Sequence, residues 1–201
     1  MAEASPAVHG PPAATDTRLD FQVVPLAGLP FLVVLFGVLI YAIANTNLWL
    51  LVFLHVAFGA AWTIVDLFMG FVIGPIMGRM SPPARIELAM RLMPKMVLIM
   101  PAVVTVTLAA GWQLGATMGT ISSNYPLHGW IVASYIVVGI MAIIALGLLE
   151  PANIAVLVEM KKPRPNPVII ERLMKRFIYT SGITGALQVA TLVIMTKLAS
   201  G

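Results

Sequence analysis

Five long apolar runs dominate this sequence and restrict what it can fold into. They cover about residues 23–44, 48–77, 93–118, 128–158 and 174–197. Each run has roughly 20 residues or more, which is enough for an α-helix to cross a hydrocarbon core of ~30 Å. Since backbone N–H and C=O groups in lipid must be satisfied internally, the runs predict five transmembrane helices. We therefore expect an all-α integral membrane protein in which residues 21–201 form a single transmembrane helical domain.

The composition agrees with this prediction and excludes several kinds of chemistry. Of the 201 residues, 60% are hydrophobic and 10% are charged, whereas a soluble domain has about 25% charged residues. The absence of cysteine excludes disulfides, thiolate metal sites, iron–sulfur clusters and cysteine nucleophiles. No phosphate-binding glycine loop, zincin motif or nucleophile elbow occurs, so no catalytic residue is predicted. The expected partners are the lipid bilayer and either other membrane subunits or further copies of this chain, and not nucleic acid.

Residues 1–20 precede the first run and lack hydrophobic periodicity. Their content of Ala and Pro predicts a disordered cytoplasmic tail. The stretch has no positive region followed by a small-residue cleavage site, so the first run is expected to stay in the mature protein. His9 in this tail is expected to be solvated.

Basic residues determine the predicted orientation. The chain has a net charge of +4, and its basic residues concentrate in two loops, one after the second run and one after the fourth. They are Arg79, Arg85, Arg91, Lys95, Lys161, Lys162, Arg164, Arg172, Lys175 and Arg176. The other two linkers, 44–47 and 119–127, carry no charge. The positive-inside rule therefore predicts a bacterial inner-membrane protein with a cytoplasmic N-terminus and a periplasmic or extracellular C-terminus.

The order of polar residues suggests an internal repeat. Each half after the first run contains a histidine, an aromatic residue seven positions later and a carboxylate deeper in the same run. The matched pairs are His55 and His128, Trp62 and Tyr135, and Asp66 and Glu150. A duplication of this kind predicts a four-helix bundle core made of two parallel helical-hairpin repeats. The N-terminal helix is then a peripheral addition.

The two histidines are the candidate cofactor ligands. Two facing histidines on bundle helices could ligate b-type haem, while copper or another metal is the alternative. Gly59 and Trp62 lie on the same helix face as His55, and Gly59 would leave room for a flat macrocycle. His128 begins its run whereas His55 lies about seven residues inside, an axial mismatch of ~10 Å. The remaining alternative is that His55 forms a hydrogen bond within the bundle and His128 is an interfacial residue.

The two carboxylates, Asp66 and Glu150, are the candidate ion-handling groups. Ionisable residues at membrane depth are costly and usually functional. One interpretation pairs them with Arg91, Lys95, Arg172 or Arg176 at the inner boundary. The other makes them a proton or cation relay, with Pro151 freeing a backbone carbonyl beside Glu150.

A short motif in the second run links the chain to a known kind of protein. The pattern His55-x3-Gly59-x2-Trp62-x3-Asp66, with Pro75 and an arginine-bearing loop after it, resembles small bacterial membrane proteins of the copper-resistance D type and related uncharacterised families. The resemblance implies a histidine-bearing helical bundle on which haem or copper roles have been proposed. The chain lacks a Trp-x-Gly-Gly pattern after Trp62, which argues against copper transport.

Three functions remain open from the sequence. The leading hypothesis is a haem- or metal-binding electron-transfer or accessory subunit of a membrane redox complex, which itself need not be catalytic. The second is a small transporter of copper or another ion that uses Asp66 and Glu150. The third is a structural subunit without a cofactor.

Overall fold

The computed structural model describes residues 25–200 and contains five long helices in that range. They are α1 (Leu26–Ala44), α2 (Leu48–Arg79), α3 (Pro82–Thr117), α4 (His128–Met160) and α5 (Pro167–Ser200). All five are long and apolar enough to cross a membrane, and the described residues form no strand. The prediction of an all-helical, multi-pass membrane protein is therefore confirmed. The predicted tail, residues 1–20, and its His9 lie outside the described residues.

Two of the helices begin earlier than the apolar runs predict. Helix α3 starts at Pro82 and α5 at Pro167, whereas the runs begin at about 93 and 174. The added turns contain arginine and glutamate that extend the helix beyond its apolar part. Hydropathy detects the lipid-embedded length, while the helix itself continues as far as its start signals allow. At α5 that signal is Asn166, whose Oδ1 accepts hydrogen bonds from the backbone N–H groups of Val168 and Ile169.

Helices α2 and α4 share an unusual local geometry. The backbone widens into π-helix over Phe68–Ile73 in α2 and over Ala145–Leu149 in α4. Each π segment ends just before a proline at the second position of the next helical turn, Pro75 and Pro151. Proline has no N–H to donate to the preceding turn, and a wider turn accommodates its ring. Both helices therefore continue past these prolines.

Helices α2 and α4 have the same two neighbours in the packing, α3 and α5. Helix α1 contacts α2 and α3 through an apolar cluster that includes Leu39, Leu54 and Val106. Many large apolar side chains elsewhere are exposed, such as Val33 and Ile143 at 72% each. Such a surface is suited to contact with a lipid bilayer.

Small residues bring α2 and α5 into close contact. A Cβ atom on Gly70 would lie 2.5 Å from the Cα atom of Gly182, and one on Gly74 would lie 2.6 Å from Ile178. Gly185 lies against the backbone of Asp66, one turn further along the crossing. Small residues allow this approach of helix backbones in membrane proteins. The crossing therefore brings α5 next to Asp66.

Candidate functional site: two carboxyl groups at one cavity

His55 is held by the neighbouring helix α3. Its Nδ1 lies 2.9 Å from the carbonyl oxygen of Thr107, and since a carbonyl only accepts, Nδ1 carries the hydrogen. The imidazole ring covers Gly111, where an added Cβ would lie 2.5 Å from Cε1. A Cβ on Gly59 would lie 3.5 Å from the Thr107 methyl group, so α3 covers the position at which the sequence suggested room for a macrocycle.

His128 lies nearer the start of its helix than His55 does. It is the first residue of α4, and its Nδ1 is buried without a hydrogen-bond partner among the described residues. Seven residues later, the ring of Tyr135 lies 5.6 Å from that of Trp112, tilted by 46°, and Trp112 follows the glycine covered by His55. Seven residues of helix rise about 10 Å. The axial offset expected from the sequence is therefore present, and the residues do not fit a haem held between both histidines.

Asp66 is the most deeply buried charged residue of the described range. Asp66 is 1% exposed. The Ser181 hydroxyl donates a hydrogen bond to Asp66 Oδ1 over 3.4 Å. Thr184 and Gln188 on α5 also border the carboxyl group. These three α5 residues are spaced i, i+3 and i+7, so they form one polar face of that helix. Asp66 Oδ2 has no hydrogen-bond partner within residues 25–200.

Glu150 shares a small cavity with Asp66. The cavity has a volume of about 20 Å³, and its polar lining includes Asp66, Glu150, Asn153 and Ser181. Asn153 is fully buried, and neither atom of its side-chain amide has a hydrogen-bond partner in the part of the chain that the structure describes. Buried polar groups without partners are rare in folded proteins. Their concentration around one cavity identifies it as a candidate site for a small polar or charged ligand.

The expected pairing of these carboxylates with cations is wrong for the described chain. Arg91 pairs instead with Glu87 at 2.9 Å, and residues 25–200 show no ion pair between Asp66 or Glu150 and Lys95, Arg172 or Arg176. The other ion pairs at this end are Arg85–Glu171, Lys175–Glu171 and Lys162–Glu159. Arg85, Arg91, Lys162 and Lys175 therefore pair with glutamates near the helix ends, and none of these ion pairs includes a carboxyl group of the cavity.

Two further polar residues lie on α2 between Asp66 and His55. The Thr63 hydroxyl is 2.9 Å from the Gly59 carbonyl and 3.0 Å from the Gln188 side-chain amide. The Thr63 hydroxyl has one hydrogen, so it donates to either the Gly59 carbonyl or the Gln188 side-chain oxygen. If the NH₂ group of Gln188 faces Thr63, that NH₂ group donates to the hydroxyl oxygen. The indole of Trp62 is 2% exposed and borders Asp66, yet its Nε1 forms no hydrogen bond with the described residues.

The structure thus joins some sequence candidates and separates others. Asp66 and Glu150 line one cavity and Trp62 borders Asp66, whereas His55 and His128 lie at different levels away from this cavity. Ser181 could not be selected from the sequence alone, because serine is ordinary in membrane helices. Its spacing with Thr184 and Gln188 is the signal that indicates a polar helix face.

Comparisons add no family to this description. Residues 25–200 contain no group of three or more His, Cys, Asp or Glu side chains that could hold a metal ion. The chain matches no family model, no curated protein and no solved structure. The resemblance to the copper-resistance D type stays a prediction.

Proposed function

We propose that this protein is a small membrane ion transporter, or the ion-conducting subunit of a membrane complex, in which Asp66 and Glu150 pass protons. The observation that carries this proposal is the cavity that both carboxyl groups line. Carboxyl groups at membrane depth are typical of proton relays in pumps and transporters. The proposal develops the second of the three functions that the sequence left open.

The surroundings of the carboxyl groups favour a proton over a larger cation. A buried carboxylate needs a compensating charge or hydrogen bond, and within residues 25–200 none of the expected arginines and lysines pairs with Asp66 or Glu150. A proton compensates a carboxylate without further ligands. A cavity of about 20 Å³ is large enough for about one water molecule, which could connect the two carboxyl groups by hydrogen bonds.

Polar groups on both sides of the cavity suggest a route for the proton. Toward the predicted outer face lie Gln188 and Thr63, 3.0 Å apart, and His55 two turns beyond Thr63. Toward the predicted inner face lies Asn153, three residues beyond Glu150 on α4, whose side-chain amide lines the cavity and has no hydrogen-bond partner within residues 25–200. The route would therefore follow the contact of α2 with α5 and end beside α4.

The proposed architecture is a four-helix core of α2 to α5 with α1 at its periphery. The core would consist of two duplicated helical hairpins, α2–α3 and α4–α5. The matching π segments before Pro75 and Pro151 support the duplication, because insertions of this kind are uncommon. We place the protein in the inner membrane with a cytoplasmic N-terminus, on the strength of the two basic loops.

Proton flux into vesicles tests the proposed function. The full-length protein is reconstituted with a pH-sensitive dye inside, and a potassium diffusion potential drives protons inward. The wild-type protein should acidify the vesicles, and Asp66→Asn should slow the flux about 100-fold, since a positioned proton-transfer group contributes at least this much. Glu87→Gln is the matched control because Glu87 is exposed and pairs with Arg91. Wild-type flux no faster than in protein-free vesicles would overturn the proposal.

One observation favours a haem held by His55 without His128 as a second candidate function, within a membrane redox complex. The Nδ1–H of His55 donates to the Thr107 carbonyl, which is the arrangement that orients a metal-ligating histidine through its other nitrogen. A bound haem would supply one-electron redox chemistry. Spectra of the oxidised and dithionite-reduced protein, with metal analysis, test this candidate. A b-type spectrum that disappears in His55→Ala but not in Tyr135→Phe would support it, and a colourless, metal-free folded protein would exclude it.

A further inference from the structure

A second cavity, separate from the carboxyl site, lies at the basic end of the helix bundle. It is an open groove of about 770 Å³ between the end of α2 and the beginnings of α3 and α5. Its volume is within the range of about 300–1,000 Å³ that is usual for sites of small organic ligands. Along α5 the lining runs from Pro167 to Ala186, a length of about 28 Å.

The groove is apolar along its walls and charged at one rim. The walls include Phe71, Ile86, Ile178 and Ile183. The charged lining residues are Arg85, Glu171 and Lys175. Glu171 accepts from Arg85 at 3.1 Å and from Lys175 at 2.9 Å, so two cations share one carboxylate and the rim keeps an excess positive charge.

Two further features make this rim attractive to an anion. The Nε–H of Arg85 is buried without a hydrogen-bond partner in the described chain, although its other nitrogens bond Glu171 and the Gly78 carbonyl. Helices α3 and α5 both begin at the groove, at Pro82 and Pro167, and a helix N-terminus favours negative charge. The groove therefore combines a long apolar trough with a cationic end.

We infer that this groove binds an anionic phospholipid, with one acyl chain along α5 and the phosphate at Arg85. Half of the ~30 Å hydrocarbon core is occupied by the chains of one leaflet, and the groove is longer than that. Basic residues at the ends of membrane helices are a recognised means of selecting anionic headgroups. The excess positive charge at the rim distinguishes this occupant from a neutral lipid.

The glycines of α2 argue against a second copy of this chain as the occupant. Gly70 and Gly74 are already covered by α5, because an added Cβ would lie within 2.6 Å of Gly182 or Ile178. The third α2 glycine that lines the groove is Gly78. An added Cβ on Gly78 would have nothing within 4 Å. One open glycine leaves room for a chain of methylene groups but offers little for close helix packing.

Native mass spectrometry of the full-length protein tests this inference. The probes are phosphatidylglycerol and phosphatidylcholine with identical acyl chains, each added to lipid-depleted protein in detergent. We expect the wild-type protein to retain phosphatidylglycerol preferentially. Arg85→Gln should weaken its retention about fivefold, the usual contribution of one basic side chain to anionic lipid binding. Glu171→Gln, which removes the competing carboxylate, should strengthen retention.

A pair of glycine variants separates groove binding from general lipid adhesion. Gly78→Leu should fill the groove and weaken the retention of phosphatidylglycerol. Gly139→Leu is the matched control, because Gly139 is also a helical glycine with nothing within 4 Å of an added Cβ and does not line the groove. Equal retention of both lipids, equal effects of both leucine variants, or a dimer that Gly78→Leu dissociates would each overturn the inference. Because the carboxyl cavity is separate, proton flux can fail while lipid binding holds.

Discussion

Gly70 and Gly182 are in backbone contact where α2 crosses α5, since a Cβ on Gly70 would lie 2.5 Å from Cα and 2.9 Å from N of Gly182. The same crossing brings Ser181, the residue before Gly182, to the carboxyl group of Asp66. A displacement of α5 at this point would therefore open the carboxyl site. The helix contact and the proposed proton site depend on one another.

Gly70→Ala should destabilise the protein. The added methyl group meets backbone atoms, which cannot move aside as a side-chain end can, and overpacking of this kind costs about 1–3 kcal/mol. Reversible unfolding in mixed detergent micelles measures the loss. Gly37→Ala is the control, because an added Cβ at Gly37 has nothing within 4 Å. Equal stability of the two variants would show that the α2–α5 contact is looser than described.

His55 and Gly111 should show coupled effects on stability. Gly111→Ala places a methyl group against the imidazole ring, 2.5 Å from Cε1, and should lower the free energy of unfolding by about 1–3 kcal/mol. His55→Ala removes the ring and its hydrogen bond to Thr107. In the double variant the clash is absent, so we expect the loss to be smaller than the sum of the two single losses. Additive losses would contradict the packing of His55 on Gly111.

Thr63→Val should have a small but measurable effect. The substitution removes a hydroxyl that contacts the Gln188 amide at 3.0 Å and keeps a similar shape. Hydrogen bonds between membrane helices contribute about 0.6 kcal/mol on average, so we expect a loss near that value in the unfolding experiment. Thr196→Val is the control, because the hydroxyl of Thr196 is exposed and bonds only within its own helix. A loss no larger than that of the control would remove Thr63 from the polar route.

The sequence was sufficient to predict the architecture at the level of membrane spans. Backbone groups in lipid must form their hydrogen bonds within the chain, so apolar runs of this length are expected to form transmembrane helices. The starts of α3 at Pro82 and α5 at Pro167 could not be obtained from hydropathy, because those turns are charged. The cap residue Asn166 was the available signal for the second of them.

The candidate site was predictable in its main residues but not in its arrangement. Asp66 and Glu150 could be singled out because a carboxylate at membrane depth is costly. Which residues surround them depends on how α2, α4 and α5 rotate against one another, and periodicity alone does not determine this. The pairing with arginine and lysine was wrong because depth along a helix does not specify the facing side chain.

The central claim is that Asp66 and Glu150 act together on one proton path. Proton flux in vesicles containing Asp66→Asn, Glu150→Gln or the double variant tests it most directly, with equal amounts of folded protein in each. Groups that act as a unit are not additive, so the account predicts that the double variant is no slower than the slower single variant. Flux losses that multiply in the double variant, or single variants as fast as the wild type, would contradict it.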